Sequence, residues 1–411
     1  MTSPVFVLGG AQSDFSVNAM RQQQTLFDMM ATTVRQGLAS TRLEPRDVQV
    51  AHVGNFAAEL FCSQGLLGGF FAAIDPAFAG LPTSRHEAAC ASSSIAALAG
   101  AAEIEAGRYD LACIVGIEMM RNVPGDTATQ YLGTAAWQGR EFQDAKYVWP
   151  RAFSDLGDEY ERRYGLSYKH LGRIAEINYA NGRLNPNAHT RKWKFDETSF
   201  TENDEANPVI EGRIRRQDCG QVSDGAAIVF LASEAFARRY AQRTGRALED
   251  IPVLRGWGHR TSPMHSAEKL ASSRGERYVY PHVRGTIEDA FRRAGIAGVD
   301  QLDGIETHDC FSVTEYMAID HFGITEPGEA WKAVEAGDIE RTGRIPVNPS
   351  GGLIGAGHPV GATGARMLLD AQKQVTGTAG DYQVEGARTF ATLNIGGAAT
   401  TTVAVVVGRS D

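Results

Sequence analysis

The 411-residue chain lacks any apolar run near the roughly 18–20 residues that a membrane-spanning helix requires. Its longest, Thr402-Val403-Ala404-Val405-Val406-Val407, has the length of a strand. Positive charge is not in excess. Forty Lys and Arg face 49 Asp and Glu, a net charge of −9, which argues against a general nucleic-acid binder. Cysteine is sparse and unpaired in pattern: Cys62, Cys90, Cys113, Cys219 and Cys310 contain no C-x-x-C. That excludes a disulfide framework and predicts free thiols in a reducing, cytoplasmic compartment. The first residues lack a basic segment and read as the start of a strand rather than a secretory signal. The last four, Gly408-Arg409-Ser410-Asp411, carry no peroxisomal or reticulum address.

What is present is a globular composition, 43% hydrophobic and 22% charged, long enough for two or three domain-like units. Apolar stretches alternate with helical periodicity, the signature of an α/β fold. The run 4–8 reads as a buried strand closed by a tight turn at Gly9-Gly10. A helix over 25–39, a strand over 48–53 and a packed helix over 65–79 follow. Then come a helix over 95–107 and a strand over 111–117, with Cys113 a buried hydrophobe. From 119 to 218 the character changes. Aromatic and charged residues rise, turn formers cluster over 181–187 and long strands disappear, which predicts an inserted helical and loop domain covering a site. The alternation resumes at Ser223-Asp224-Gly225-Ala226-Ala227. Further strands fall over 228–231, 251–254, 302–306 and 389–393, helices over 286–294 and 365–375, and a hairpin leads into 400–407. The pattern repeats, so two duplicated α/β halves are expected. The first comprises 1–118 and 219–245, the second 246–411, and 119–218 forms the cover.

Four clusters could carry chemistry. In Arg85-His86-Glu87-Ala88-Ala89-Cys90-Ala91-Ser92-Ser93-Ser94, Cys90 stands at the mouth of a helix, where backbone N–H groups and the dipole favour an anion. This predicts a depressed thiol pKa and alkylation that persists below pH 7; a structural cysteine is the plainer alternative. The glycine-rich stretch 348–364 contains Gly357-His358-Pro359-Val360-Gly361-Ala362-Thr363-Gly364, in which a single histidine before a helix suits an aimed base. A phosphate loop is the rival, but the third glycine of G-x-G-x-x-G is missing and no G-K-[ST] follows. Glu306-Thr307-His308-Asp309-Cys310-Phe311 follows a strand directly, the place where α/β active sites gather. His308, Cys310 and His358 could in principle ligate zinc, although the paired spacing of structural zinc is missing. Asn394-Ile395-Gly396-Gly397-Ala398 on its own is an ordinary hairpin turn.

Taken together and in this order, the motifs resemble the thiolase superfamily. The His-Asp-Cys-Phe segment points to the subgroup similar to sterol-carrier-protein thiolases and archaeal acetyl-CoA acetyltransferases. The resemblance implies a five-layered α-β-α-β-α fold of two halves under a loop domain. It implies that Cys90 carries the acyl group as a thioester and that His358 takes its proton, then donates to a thioester oxygen. Cys310 would be the acid/base, standing in for a second cysteine that relatives carry where this chain has Asn394. His308 would orient a water in a first oxyanion hole shared with His358, and the N–H groups of Cys90 and Gly396 would make the second. The implied reaction is Claisen condensation or thiolytic cleavage of acyl-CoA in lipid metabolism, with a coenzyme A thioester as substrate and no permanently bound cofactor. The implied assembly is a homodimer or dimer of dimers, without nucleic acid or membrane. Two other readings stay open. One is a C- or O-acyltransferase acting on a non-CoA acceptor with a zinc-ribbon/OB-fold partner. The other is a retro-aldolase or non-catalytic relative, and the aldolases lack the nucleophilic cysteine. Departures from the family bear on substrate: Ser93 is expected to narrow the pocket, and 124–158 is rich in bulky residues. No coenzyme A site is legible there, and Arg213, Arg215 and Arg216 read as solvated surface.

Overall fold

The computed structural model describes residues 3–409, so the terminal readings at 1–2 and 410–411 lie outside the described residues. Nine strands make one sheet: β1 (Val5–Gln12), β2 (Val50–Gly54), β3 (Thr83–His86), β4 (Leu111–Glu118), β5 (Gly225–Ser233), β6 (Val253–Thr261), β7 (Gly304–Thr307), β8 (Thr389–Gly396) and β9 (Thr401–Gly408). Their order is β3-β2-β4-β5-β1-β6-β9-β8-β7. β3, β2 and β4 run parallel, and β5 and β1 are antiparallel additions. The second half repeats the scheme: β7 pairs parallel with β8, and β9 and β6 follow antiparallel. A parallel bridge from Ile305 to Val347 stands where β3 stands in the first half. The halves meet at a single register pair, Phe6 with Val253.

The main helices are α1 (Leu26–Thr41), α2 (Ser92–Glu105), α3 (Val148–Tyr164), α4 (Tyr168–Gly182), α5 (Glu234–Thr244), α6 (Ser266–Ser272), α7 (Pro281–Ala294), α8 (Ser312–Phe322) and α9 (Thr363–Thr376). Strand alternation sorts side chains into layers. Phe6, Ile228 and Phe230 face α1 and α5, whereas Val5, Val7, Val229 and Leu231 face inward. Val403, Val405 and Val407 of the second half join the same inner cluster, with Ala96, Ala97 and Ile104 of α2 and Leu368 and Leu369 of α9. Ala404 and Val406 turn outward onto α7 and α8. The result is the thiolase fold: outer helices, half-sheet, central α2 and α9, half-sheet, outer helices.

Two sequence expectations change. Gly9-Gly10 does not end β1. The strand runs through both with a bulge, Gly9 has φ +110°, and a Cβ on Gly10 would lie 1.8 Å from the Ile228 carbonyl oxygen. The pair is there for close strand approach. The stretch 65–79 is a string of short turns around Phe70–Ile74 rather than one helix, because its glycines weaken helical continuity. Within 119–218, α3 and α4 lay Leu156, Tyr160, Leu171 and Ile174 into the core of the second half beside Tyr316 and Met317. Among the described residues no helix is long and apolar enough to cross a membrane.

Candidate active site

Both central helices begin at the same place, and their mouths carry the two motifs. α2 follows a tight turn at Ala89–Ala91, in which Ala89 takes φ +48°. A left-handed alanine costs on the order of 1 kcal/mol and persists only where neighbours enforce it. Here Glu87 accepts the Ala89 N–H at 2.6 Å and Ser92 Oγ accepts the Ala88 N–H at 3.0 Å. The turn aims the Cys90 thiol inward, where its own N–H and that of Gly397 donate to the sulfur. Gly397, one residue beyond Gly396, is therefore the glycine whose N–H reaches the thiol. Gly396 itself packs against Ala88, where a Cβ would sit 2.2 Å from the carbonyl oxygen.

Burial outweighs the helix mouth. The Cys90 thiol is pushed up to about 12, first by desolvation and then by the charges of Glu118 and Glu87. The expected depressed pKa is thus reversed, because removing a thiolate from water costs more than two backbone donors return. His358 moves the other way, down to about 3, through burial and the nearby Arg366 guanidinium. The resting pair is a neutral thiol and a neutral imidazole.

Hydrogen bonds behind the two histidines give them opposite roles. The Thr363 hydroxyl donates to the Pro359 carbonyl at 3.1 Å, so at its 2.7 Å contact it accepts from His358 Nδ1. His358 Nε2 is left as a free base. The Asn394 amide nitrogen lies 3.0 Å from His308 Nδ1, and its oxygen accepts from Ser94 Oγ at 2.8 Å. His308 Nδ1 is therefore an acceptor, and its proton sits on Nε2. The two rings stand edge to face with centroids 5.2 Å apart. A ring nitrogen of each and the Cys90 sulfur all lie within 4.8 Å of one another. The zinc alternative also brings these histidines together, but His308 presents an N–H rather than a lone pair. Cys310 lines the same cavity, its Sγ 3.9 Å from Thr314 Oγ1, and burial together with the neighbouring Cys90 holds its pKa well above the ordinary thiol range.

Buried carboxylates hold these loops. Glu118, at the end of β4, accepts from the N–H groups of Phe56 at 2.8 Å and Gly361 at 3.1 Å, tying the first half to the histidine loop of the second. Asp309 accepts from the N–H of Leu353 at 2.6 Å and of Ile354 at 3.0 Å. Desolvation raises Glu118 to about 7 and Asp309 to about 6. Ser93 does not narrow the pocket. It is fully buried in the first turn of α2, and its Oγ accepts from the Ala365 N–H of α9 at 2.9 Å. Arg213 pairs with Asp158 and Arg215 with Asp204, and Arg216 donates to the Ala206 carbonyl, all away from the cavity.

The cavity measures about 660 Å³ and is walled by Phe56, Met120, Leu132, Tyr147, Trp149 and Phe153. Arg21 and Arg121 also line it, and sequence reading missed both because they lie far apart in the chain. It likewise gave no role to Glu118 or Thr363. The signals were an acid closing an apolar strand and a hydroxyl five residues after the histidine.

Comparison with known proteins agrees with this fold. Family models described as "Thiolase, N-terminal domain" and "Thiolase C-terminal domain-like" match residues 5–197 and 265–409. An acetyl-CoA acetyltransferase of Methanothermobacter thermautotrophicus is 31% identical over 385 residues, covering 93% of this chain and 94% of its own. Sterol carrier protein 2 of Gallus gallus is 27% identical over 96% of this chain and 70% of its own. Among solved structures, an Ltp2-ChsH2(DUF35) aldolase superposes with a TM-score of 0.77 at 18% identity, covering 99% of this chain and 98% of its own. Human mitochondrial 3-ketoacyl-CoA thiolase superposes with a TM-score of 0.73 at 14% identity over the whole of both chains. The chain belongs to the thiolase family and is an acyltransferase built on the thiolase fold.

Proposed function

We propose that the protein cleaves 3-oxoacyl-CoA by thiolysis, with Cys90 as the acyl carrier. The carrying observation is the convergence of the Cys90 thiol, a His358 Nε2 lone pair and a His308 Nε2–H in one largely apolar cavity. His358 Nε2 takes the thiol proton as sulfur bonds to the 3-oxo carbon. The N–H of Cys90 and those of the Gly396-Gly397 turn receive the oxygen that becomes negative. The C2–C3 bond then breaks. The departing enolate, its oxygen facing the His308 N–H, takes a proton at C2 from Cys310. A thiol held far above its ordinary pKa is neutral at rest, so Cys310 carries the proton that the enolate takes. Coenzyme A thiol then attacks the acyl-Cys90 thioester. Its proton returns to Cys310, and Cys90 recovers the proton held on His358.

The relatives named as acetyl-CoA acetyltransferases support coenzyme A thioesters as substrates. The bulky walls and about 660 Å³ of space favour an acyl group larger than acetyl. Thiolysis of a series of 3-oxoacyl-CoAs tests the reading: turnover is expected with wild type and none with Cys90→Ala. Absence of turnover across the series, with no Cys90 adduct, would overturn it. A second reading draws support from the Ltp2-ChsH2(DUF35) likeness: the enzyme works with a partner subunit. Activity that appears only on adding such a partner would favour it.

A further inference from the structure

The turn that brings Gly397 to the thiol is not a relaxed hairpin. Gly397 has φ +62° and Ala399 has φ +57°, so two of its residues are left-handed and one is not glycine. Internal bonds from the Ala399 N–H to Gly397 O at 2.9 Å and from the Thr400 N–H to Gly396 O at 3.0 Å close it. Its outer carbonyls do not face water. Ala398 O accepts from the Lys269 ammonium, which also donates to Thr400 Oγ1 at 3.0 Å. Ala399 O accepts from His282 Nε2 at 2.8 Å and Ser262 Oγ at 2.8 Å. A lysine only 3% exposed, aimed at a turn rather than at an adjacent carboxylate, is an unusual expense of desolvation.

We infer that Lys269 is a positioning residue for catalysis: from α6 it holds the 396–400 turn so that the Gly397 N–H stays on the Cys90 sulfur. The inference rests on the proposed role of Cys90, but its test does not need an acyl donor. The titratable groups packed near Lys269 are Glu141 from 119–218, His282 from α7 and the neighbouring Tyr280. Burial brings Lys269 down to about 8, with Glu141 opposing, and brings His282 down to about 4, so His282 is neutral at working pH. Glu141 also accepts the N–H groups of Ser266 and Trp137, the latter at 3.0 Å. The segment covering the site thus reaches the start of the helix that carries Lys269. The lysine charge is present below about pH 8 and lost above it.

The test is the rate of iodoacetamide alkylation at Cys90 in the full-length protein, read from the Cys90 peptide between pH 6.5 and 9.5. The wild-type rate is expected to climb with pH and to flatten as Lys269 loses its charge. Lys269→Met is expected to alkylate roughly fivefold more slowly at pH 7.5, a size typical of one lost thiolate-stabilising donor, and to climb without the flattening. Melting temperature is recorded in parallel. If Lys269→Met does not fold, Lys269→Gln, which keeps an amide donor without charge, is expected to show the same unflattened profile with a smaller loss. Folded variants that alkylate at the wild-type rate with the wild-type profile would overturn the inference. A wild type that alkylates as expected yet is acylated by no acyl-CoA would instead overturn the proposed function and leave this inference standing.

Discussion

The mouths of α2 and α9 occupy equivalent places in the two halves and present groups of opposite character. At α2 a strained turn presents a thiol; at α9 a glycine-rich loop presents an imidazole five residues before Thr363. Each mouth would stabilise an anion in isolation. Packed against one another they are largely withdrawn from solvent, with Gly364 so near Ser94 that a Cβ would lie 2.2 Å from its Oγ. The thiol rises to about 12 and the imidazole falls to about 3, so neither carries charge until substrate arrives. The difference teaches that duplication supplies two aimed positions, and that burial rather than the dipole decides their resting protonation.

The strongest way to break this comparison is to remove the thiol. Cys90→Ala should reduce acylation about 10⁴-fold, measured by single-turnover release of coenzyme A, while the melting temperature stays near wild type. Residual acylation near the wild-type rate would place the nucleophile elsewhere. Removing the other mouth should cost less. His358→Ala is expected to slow acylation by about 10² to 10⁴. Cys310→Ala sharpens the division between half-reactions: it should slow acylation from a simple acyl-CoA, whose coenzyme A can leave as a stable thiolate, far less than it slows cleavage of a 3-oxoacyl-CoA. Equal loss of both would merge their roles. Thr363→Val frees the imidazole to take the wrong tautomer, and a loss of up to about 10²-fold in acylation is expected with little change in KM.

The smallest effect is in pH. Because His358 stays neutral down to about pH 3, the acylation rate should show no acid limb from this histidine between pH 5 and 7. A limb with a midpoint near 6.5 would mean that the ring is solvated and ordinary. Cys90 alkylation, for its part, should reach no ordinary-thiol plateau at pH 8.5, since a raised pKa lowers the thiolate fraction at every pH below it; its climb slackens only as Lys269 loses its charge.

Much of this was legible in the residues. Strand and helix alternation gave the two halves, and Cys90, His308, Cys310 and His358 stood out because their residue types are scarce and, at His358, because the flanking glycines are specific. Their partners were not legible. Glu118 meets Gly361 across 243 positions and Asn394 meets His308 across 86, and no local pattern encodes such contacts. Ser93 misled for the same reason: it lies three residues after the proposed nucleophile, but its Oγ accepts from the Ala365 N–H in the other half. The direction of the Cys90 shift was also hidden, because a helix mouth is visible in sequence and its desolvation is not.

The central claim is that Cys90 carries the acyl group. Intact mass of the protein after brief incubation with a panel of acyl-CoAs, followed by peptide mapping, tests it most directly. The account predicts a single added acyl mass on the Cys90 peptide, absent from Cys90→Ala. Unmodified protein with every acyl-CoA, or an adduct mapping to Cys310 or Cys219, would contradict it.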